Sequence, residues 1–278
     1  MTAALVSRSV KIYQAQLSAR FMAETARFAR FISDNLSIML LGWALVAALA
    51  GGVRLAMLLS TFPKLAKIEY LPQLILPYLL IAAAPAVGHA LASRCFAADV
   101  PAPQPSLRLA RYGRWRALTA SDARQSPLFG ISGLMTSLVA GILLSMGLRL
   151  AEYFLAMPAV PSMAPGWVVA VSRAMTFDLI FFSFLYAVCV TMALRAAPLF
   201  PRMLLYAWLC DLMSQMAIAH FTIAAGGVPG EIAPLLQTYL FANIQKVLIS
   251  MTIWLPYLLV SDRVNVTFRG RIRLAGSA

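Results

Sequence analysis

Six apolar stretches separated by polar segments set the rhythm of this chain, over residues 36–60, 72–93, 128–150, 167–192, 203–225 and 238–260. A helix of about 20 apolar residues crosses about 30 Å of hydrocarbon, so each stretch predicts one membrane span. Residues 1–35 follow a different pattern. At about 100° per residue, Val6, Val10, Tyr13, Leu17, Phe21, Phe28 and Ile32 fall on one helical face. Arg8, Lys11, Arg27 and Arg30 lie away from that face, and Arg20 flanks it. An apolar stripe opposite a basic face predicts an interfacial helix, with Ser33 or Asp34 capping the helix that follows. A helix packed on a partner protein is the other reading of the same stripe. The expected fold class is an all-α integral membrane protein, a six-transmembrane-helix bundle with an N-terminal amphipathic interfacial helix. Its parts are an arm at 1–35, a membrane domain at 36–260 and a basic cytoplasmic tail at 261–278.

Composition agrees. The 278 residues are 61% hydrophobic and 12% charged, with mean hydropathy +0.80, a balance that excludes an ordinary soluble domain. The net charge of +13 would suggest nucleic acid in a soluble protein. Here the charge sorts by loop and no nucleic-acid motif accompanies it. Four segments hold 17 of the 23 basic residues. They are the arm (Arg8, Lys11, Arg20, Arg27, Arg30), the loop at 94–127 (Arg94, Arg108, Arg111, Arg114, Arg116, Arg124), the short loop with Arg195 and Arg202, and the tail (Arg263, Arg269, Arg271, Arg273). Basic segments are retained on the cytoplasmic side, which puts both termini inside a bacterial inner membrane, with anionic lipids as partners. Lys64 and Lys67 are the only cations of the outer loops. Within the 94–127 loop, Arg mixed with Tyr112 and Trp115 predicts anchoring at the bilayer surface. The first apolar run begins too late for a signal peptide. Cys95, Cys189 and Cys210 have neither CxxC nor zinc spacing, and read as buried apolar residues.

Three spans carry small residues at every fourth position, namely Ala44/Ala48/Gly52/Ala56, Ala82/Ala86/Ala90 and Gly133/Ser137/Gly141/Ser145. Such ridges predict close helix packing. Charges deep in a span need a partner or a purpose, since each costs about 2.5–3.5 kcal/mol to insert. At 1.5 Å per residue, Asp178 lies about 16 Å from the outer end of its span, while Asp211 and Lys246 lie about 13 Å from the ends of theirs. The expectation is an Asp211–Lys246 ion pair, with Asp178 as a third member and Asn243 as a neighbouring amide. Arg149, Glu152, Arg173 and His220 form a group toward the outer face; scattered snorkelling to water is the favoured reading and a shared polar vestibule the other, with Arg149 and Glu152 pairing three residues apart. His89 falls about 26 Å down one span and His220 about 27 Å up another, at opposite membrane faces, which excludes a shared haem. No catalytic, cofactor or metal motif occurs.

The C-terminal run Ile253-Trp254-Leu255-Pro256-Tyr257-Leu258-Leu259-Val260-Ser261-Asp262-Arg263-Val264-Asn265-Val266-Thr267-Phe268, with Phe241-Ala242-Asn243 upstream, resembles the ending of a bacterial membrane family called domain of unknown function 2569. Looser similarity extends back to about 128. The resemblance singles out Trp254, Pro256, Tyr257, Ser261, Arg263, Thr267 and Phe268. Its members are typically four-span proteins without an established activity, so two spans and the arm are additions here. Physically these residues read as a membrane exit, with Trp254 and Tyr257 at the interface, Arg263 on lipid phosphate and Phe268 folded back on the surface.

With packing features abundant and site chemistry missing, the favoured function is a non-enzymatic accessory or scaffold subunit, bound to a membrane-protein partner or to copies of itself. The alternative is a small-solute or proton-coupled transporter or channel using Asp178, Asp211 and Lys246. Its distinguishing feature would be a water-accessible cavity reaching those residues.

Overall fold

The computed structural model describes residues 2–67, 69–96, 104–105, 114–161, 163–224 and 228–274, with backbone only for 2–12, 15, 223 and 224. It is helical apart from one short ribbon. In chain order the helices are α1 (Thr2–Thr61), α2 (Leu71–Cys95), α3 (Ala120–Gln125), α4 (Leu134–Ala156), α5 (Gly166–Leu194), α6 (Phe200–Ala224), α7 (Ile232–Val260) and α8 (Asp262–Arg269), with a 3-10 turn at Pro63–Ala66. Strands β1 (Trp115–Ala117) and β2 (Arg271–Arg273) pair antiparallel, Arg116 opposite Ile272. Five helices are long and apolar enough to cross a membrane: α1 from Gln16, α2, α4, α5 and α7. The chain therefore has the character of a multi-pass membrane protein. In α6, Asp211, Gln215 and His220 dilute the hydropathy; Asp211 and Gln215 are buried.

Helix α5 sits at the centre and packs on α2, α4 and α6, while α1 packs on α2 and α4, and α6 on α7. The membrane setting explains why so many caps come from other helices. Every backbone polar group must be satisfied internally where there is no water. Pro85 cannot donate to the Ile81 carbonyl; the Trp43 indole does so instead, at 3.0 Å from α1. The terminal carbonyls of α4, Phe154 O and Leu155 O, are capped by Arg54. Those at the end of α2, Ser93 O and Phe96 O, accept from Arg195 at 3.1 and 2.9 Å.

Three expectations change. First, α1 is one unbroken helix of 60 residues, about 90 Å long at 1.5 Å per residue. Neither Ser33 nor Asp34 starts a new helix, and no break separates an arm at 35. The reason is tertiary: Ala29, Ile32 and Leu36 are buried, with Ile32 and Leu36 in the main core beside Met135 and Leu138 of α4. Thr25 accepts from Gly133 N at 2.7 Å, and its carbonyl accepts from Thr136. Of the predicted stripe, Tyr13, Leu17, Phe21 and Phe28 are exposed and Ile32 is buried; the side chains of Val6 and Val10 fall outside those described.

Second, the third span starts at Leu134 rather than 128. Gly130 and Gly133 hold positive φ (86° and 63°), so the apolar run 128–133 is a turn that docks on α1 and α8.

Third, most of the small-residue ridge positions face outward, while Ala44 and Ala82 are half-buried and Gly133 is buried against Met22 of α1. Ala48, Gly52 and Ala56 on α1, Ala86 and Ala90 on α2, and Ser137, Gly141 and Ser145 on α4 are exposed. A Cβ on Gly52 or Gly141 would meet nothing within 4 Å. Close packing is also made off the ridges, by Gly51 against Tyr78 and Gly88 against the Phe184 backbone. A methyl group at Gly88 would lie 2.4 Å from the Phe184 carbonyl oxygen, which a backbone cannot easily yield. Gly88→Ala is expected to destabilise the bundle by about 1–3 kcal/mol, whereas Gly52→Ala leaves it unchanged. Thermal unfolding of the two variants in detergent, followed by circular dichroism, checks this.

Candidate functional site

Two of the deep charges, Asp178 and Asp211, meet, and they do so through Arg149 rather than Lys246. Arg149 of α4 points inward. Its Nη2 donates to both oxygens of Asp211 on α6 at 2.7 Å, and its Nη1 to Asp178 Oδ2 on α5 at 3.2 Å. Tyr186 donates to Asp211 Oδ2 at 2.8 Å. Ser214 and Gln215 donate to Asp178 Oδ1 at 2.8 and 3.0 Å. The guanidinium also lies 4.9 Å from the centre of the Phe182 ring. Each carboxylate thus has several donors, as buried charge requires. Asp178 and Tyr186, eight residues apart on α5, share a face about two turns apart. Asp211, Ser214 and Gln215 sit at i, i+3 and i+4 on α6, which is why one face of each helix supplies the site.

Lys246 does not reach Asp211. It pairs with Glu152, three residues beyond Arg149 on α4, and approaches Asn243 Oδ1 at 3.4 Å. The expected Asp211–Lys246 and Arg149–Glu152 pairs are therefore exchanged. Arg149 is long enough to cross to α5 and α6, and it leaves Glu152 to meet α7. The first pairing is buried, with side-chain exposures of 15% for Arg149 and 1% for Asp211. The second is open, 31% for Glu152 and 53% for Lys246. Between the two pairs lies a cavity of about 200 Å³ reaching Arg149, Asp211, Glu152, Asn243 and Lys246, with Trp208 and Trp254 in its walls. Asp178 lies behind Arg149 and does not line it.

The outer-face group does not converge into a vestibule. Arg149 and Glu152 belong to the inner site. Arg173 lines a separate cavity, and His220 is exposed beside Phe221. His89 is hydrogen-bonded to Thr191 at 2.9 Å, tying α2 to α5. Among the described residues, no group of three or more His, Cys, Asp or Glu comes together to hold a metal ion.

The C-terminal motif is a packed clasp. Trp254 and Tyr257 meet edge to face, ring centres 6.1 Å apart, and Trp254 packs against the core. Pro256 lies in the penultimate turn of α7, and Ser261 ends that helix. All of Arg263–Arg269 is buried, so Arg263 does not face lipid. It donates instead to Leu128 O and Gly130 O at 3.3 and 3.5 Å. Thr267 accepts from Gly130 N at 3.0 Å, and Phe268 packs on Phe200 with ring centres 5.1 Å apart. Gly270, in the left-handed conformation, turns the chain into β2. The Arg271 and Arg273 guanidiniums lie 4.5 and 5.3 Å from the centre of the Trp115 ring. The tail is therefore folded from 262 to 273. Sequence pattern missed Asn265. Its Oδ1 accepts from Arg269 at 3.1 Å and Arg271 at 2.8 Å, and its amide donates to Ser261 O. Burial, then the Arg271 and Arg202 charges, push Arg269 down to about 10.

Fold and site together define a multi-pass helical protein whose centre is a hydrogen-bonded charge cluster beside a cavity of mixed polar and apolar lining. No family model, no curated protein and no solved structure matches the chain.

Removing Arg149 strands two buried carboxylates. Arg149→Met is expected to cost about 3–5 kcal/mol, against about 1 kcal/mol or less for Glu152→Gln in its open pair. The monomer fraction surviving a heating series, read by size exclusion, separates them. Asn265→Leu removes the shared acceptor of two guanidiniums and is expected to cost about 1–3 kcal/mol. Protease sensitivity should then appear first after Val260.

Proposed function

We propose that this chain is a six-span membrane carrier that couples proton movement to a small polar solute, with α6 as the sixth span. The observation that carries the reading is the shared guanidinium. Two carboxylates, Asp178 and Asp211, face one Arg149, so the ionised cluster holds one surplus negative charge. Lys246 is committed to Glu152 and does not compensate it. A surplus charge in a low-dielectric core is neutralised by a proton or expelled. The adjoining cavity of about 200 Å³ gives such a proton, and a small solute, a place to meet Arg149 and Asp211. With the basic segments inside, both termini face the cytoplasm, as expected for a bacterial inner-membrane protein.

A second reading, an accessory or scaffold subunit, is favoured by the outward small-residue ridges on α1, α2 and α4, which offer close-packing faces to a partner helix. Here the carrier takes precedence, because ridges specify packing alone and the charge cluster specifies chemistry.

The test uses vesicles containing pyranine and driven by a potassium diffusion potential. Protein-dependent proton entry is expected with the native chain and is expected to fall at least tenfold in Asp211→Asn and Asp178→Asn. Proton entry equal to that of empty vesicles refutes the carrier.

A further inference from the structure

A second cavity, of about 300 Å³, lies between α2, α5 and residues 158–161. Tyr70, Pro77, Tyr78 and Phe177 contribute apolar and aromatic walls, and Gln73 and Ser172 add polar groups. Arg173 is the one charged residue in its lining.

The use made of that arginine differs from that of three others in the bundle. Arg54, Arg149 and Arg195 each donate to a carbonyl or carboxylate of a neighbouring helix. Arg173 takes part in none of the ion pairs among the described residues, and no hydrogen bond to a described residue engages it. It sits about two turns into α5 from Gly166 and is exposed, as is Phe177 one turn further on, with Ser172 as its polar neighbour in the lining. The hydroxyls at the base are already spent. Thr176 donates to Ser172 O at 2.7 Å, and Tyr153 and Thr176 share a 2.7 Å hydrogen bond. An exposed planar guanidinium without a partner among the described residues, set beside aromatic walls, matches an oxyanion carried on an apolar body. A cation would be repelled there, and a wholly apolar ligand would leave the guanidinium uncovered.

We infer that this cavity binds an amphipathic oxyanion, a carboxylate or phosphate on an aromatic or alkyl body, with Arg173 holding the charged end and Tyr70, Tyr78 and Phe177 holding the body. This site is separate from the Arg149 cluster and does not depend on the carrier reading. The ligand can arrive as a soluble anion or as the headgroup of an anionic lipid.

The test is direct binding to the full chain in phosphatidylcholine nanodiscs, with 2-naphthoate as the probe and neutral 2-naphthamide as its control. Saturable naphthoate binding is expected, at least tenfold tighter than the amide. Arg173→Gln should weaken naphthoate about 10- to 100-fold and leave the amide unchanged, while Arg173→Lys retains part of the preference. Arg173 bonds to no described neighbour, so these variants keep the fold, which unchanged thermal unfolding verifies. Replacing phosphatidylcholine by phosphatidylglycerol distinguishes the sources: competition assigns the lipid headgroup, and unchanged affinity assigns a soluble anion. Equal affinity for naphthoate and naphthamide in the native protein, or Arg173→Gln behaving as native, overturns the proposal.

Discussion

The guanidinium of Arg149 holds the centre of this bundle. It is largely buried, and it faces a carboxylate on each of two other helices. An ionised group in such a place must be paired and hydrogen-bonded, or its burial costs several kcal/mol. That requirement fixes the rotation of α4, α5 and α6 about their axes more tightly than apolar packing can, because lipid tails are as apolar as the core. Once Arg149 points inward, Glu152 on the same helix is turned toward α7, where Lys246 meets it. One helix thus carries two charges that engage three others. The cavity is the space left between those two engagements.

The same economy governs the backbone. Arginines that charge sorting would leave as topology signals or snorkelling side chains serve as caps. Arg54 closes the end of α4, and Arg195 closes the end of α2. Arg263 supports the turn at 128–130. The Trp43 indole fills the place of the donor that Pro85 lacks. Near or within hydrocarbon a bare carbonyl has no water to turn to, so these side chains are held in place by groups far away in sequence. The clasp of α8 follows the same rule: its polar residues are buried because the 126–133 turn and the ribbon supply their partners.

What the sequence made legible was local. The bounds of α2 and α5 follow hydropathy to within about two residues, and the depths of Asp178, Asp211 and Lys246 marked where chemistry would lie. Partner choice was not legible. Depth gives height along the membrane normal and says nothing about rotation around a helix, and Arg149 was placed by where its backbone sits rather than by where its long side chain ends. The helix boundary at Ser33 failed for a related reason. A capping residue starts a helix only when the preceding turn is free to leave, and Ile32 and Leu36 are buried in the core. Gly130 and Gly133 could have been read as a break inside the apolar run at 128–133. Asn265 had no sequence signal beyond lying among arginines.

The two functional readings make opposing demands on α4. Gly141 and Ser145 line the cavity beside Arg149, and they also belong to the exposed small-residue ridge. A partner helix seated on that ridge would lie against the cavity and limit what enters it. A carrier needs the same face free to move, since solute must arrive and leave past the Glu152–Lys246 pair. That pair, half open where the Arg149 cluster is closed, is the weaker of the two engagements. Breaking an exposed pair costs a protein about 1 kcal/mol or less, against about 3–5 kcal/mol for removing one partner of a buried one, so the bundle depends on the cluster far more than on the pair in front of it.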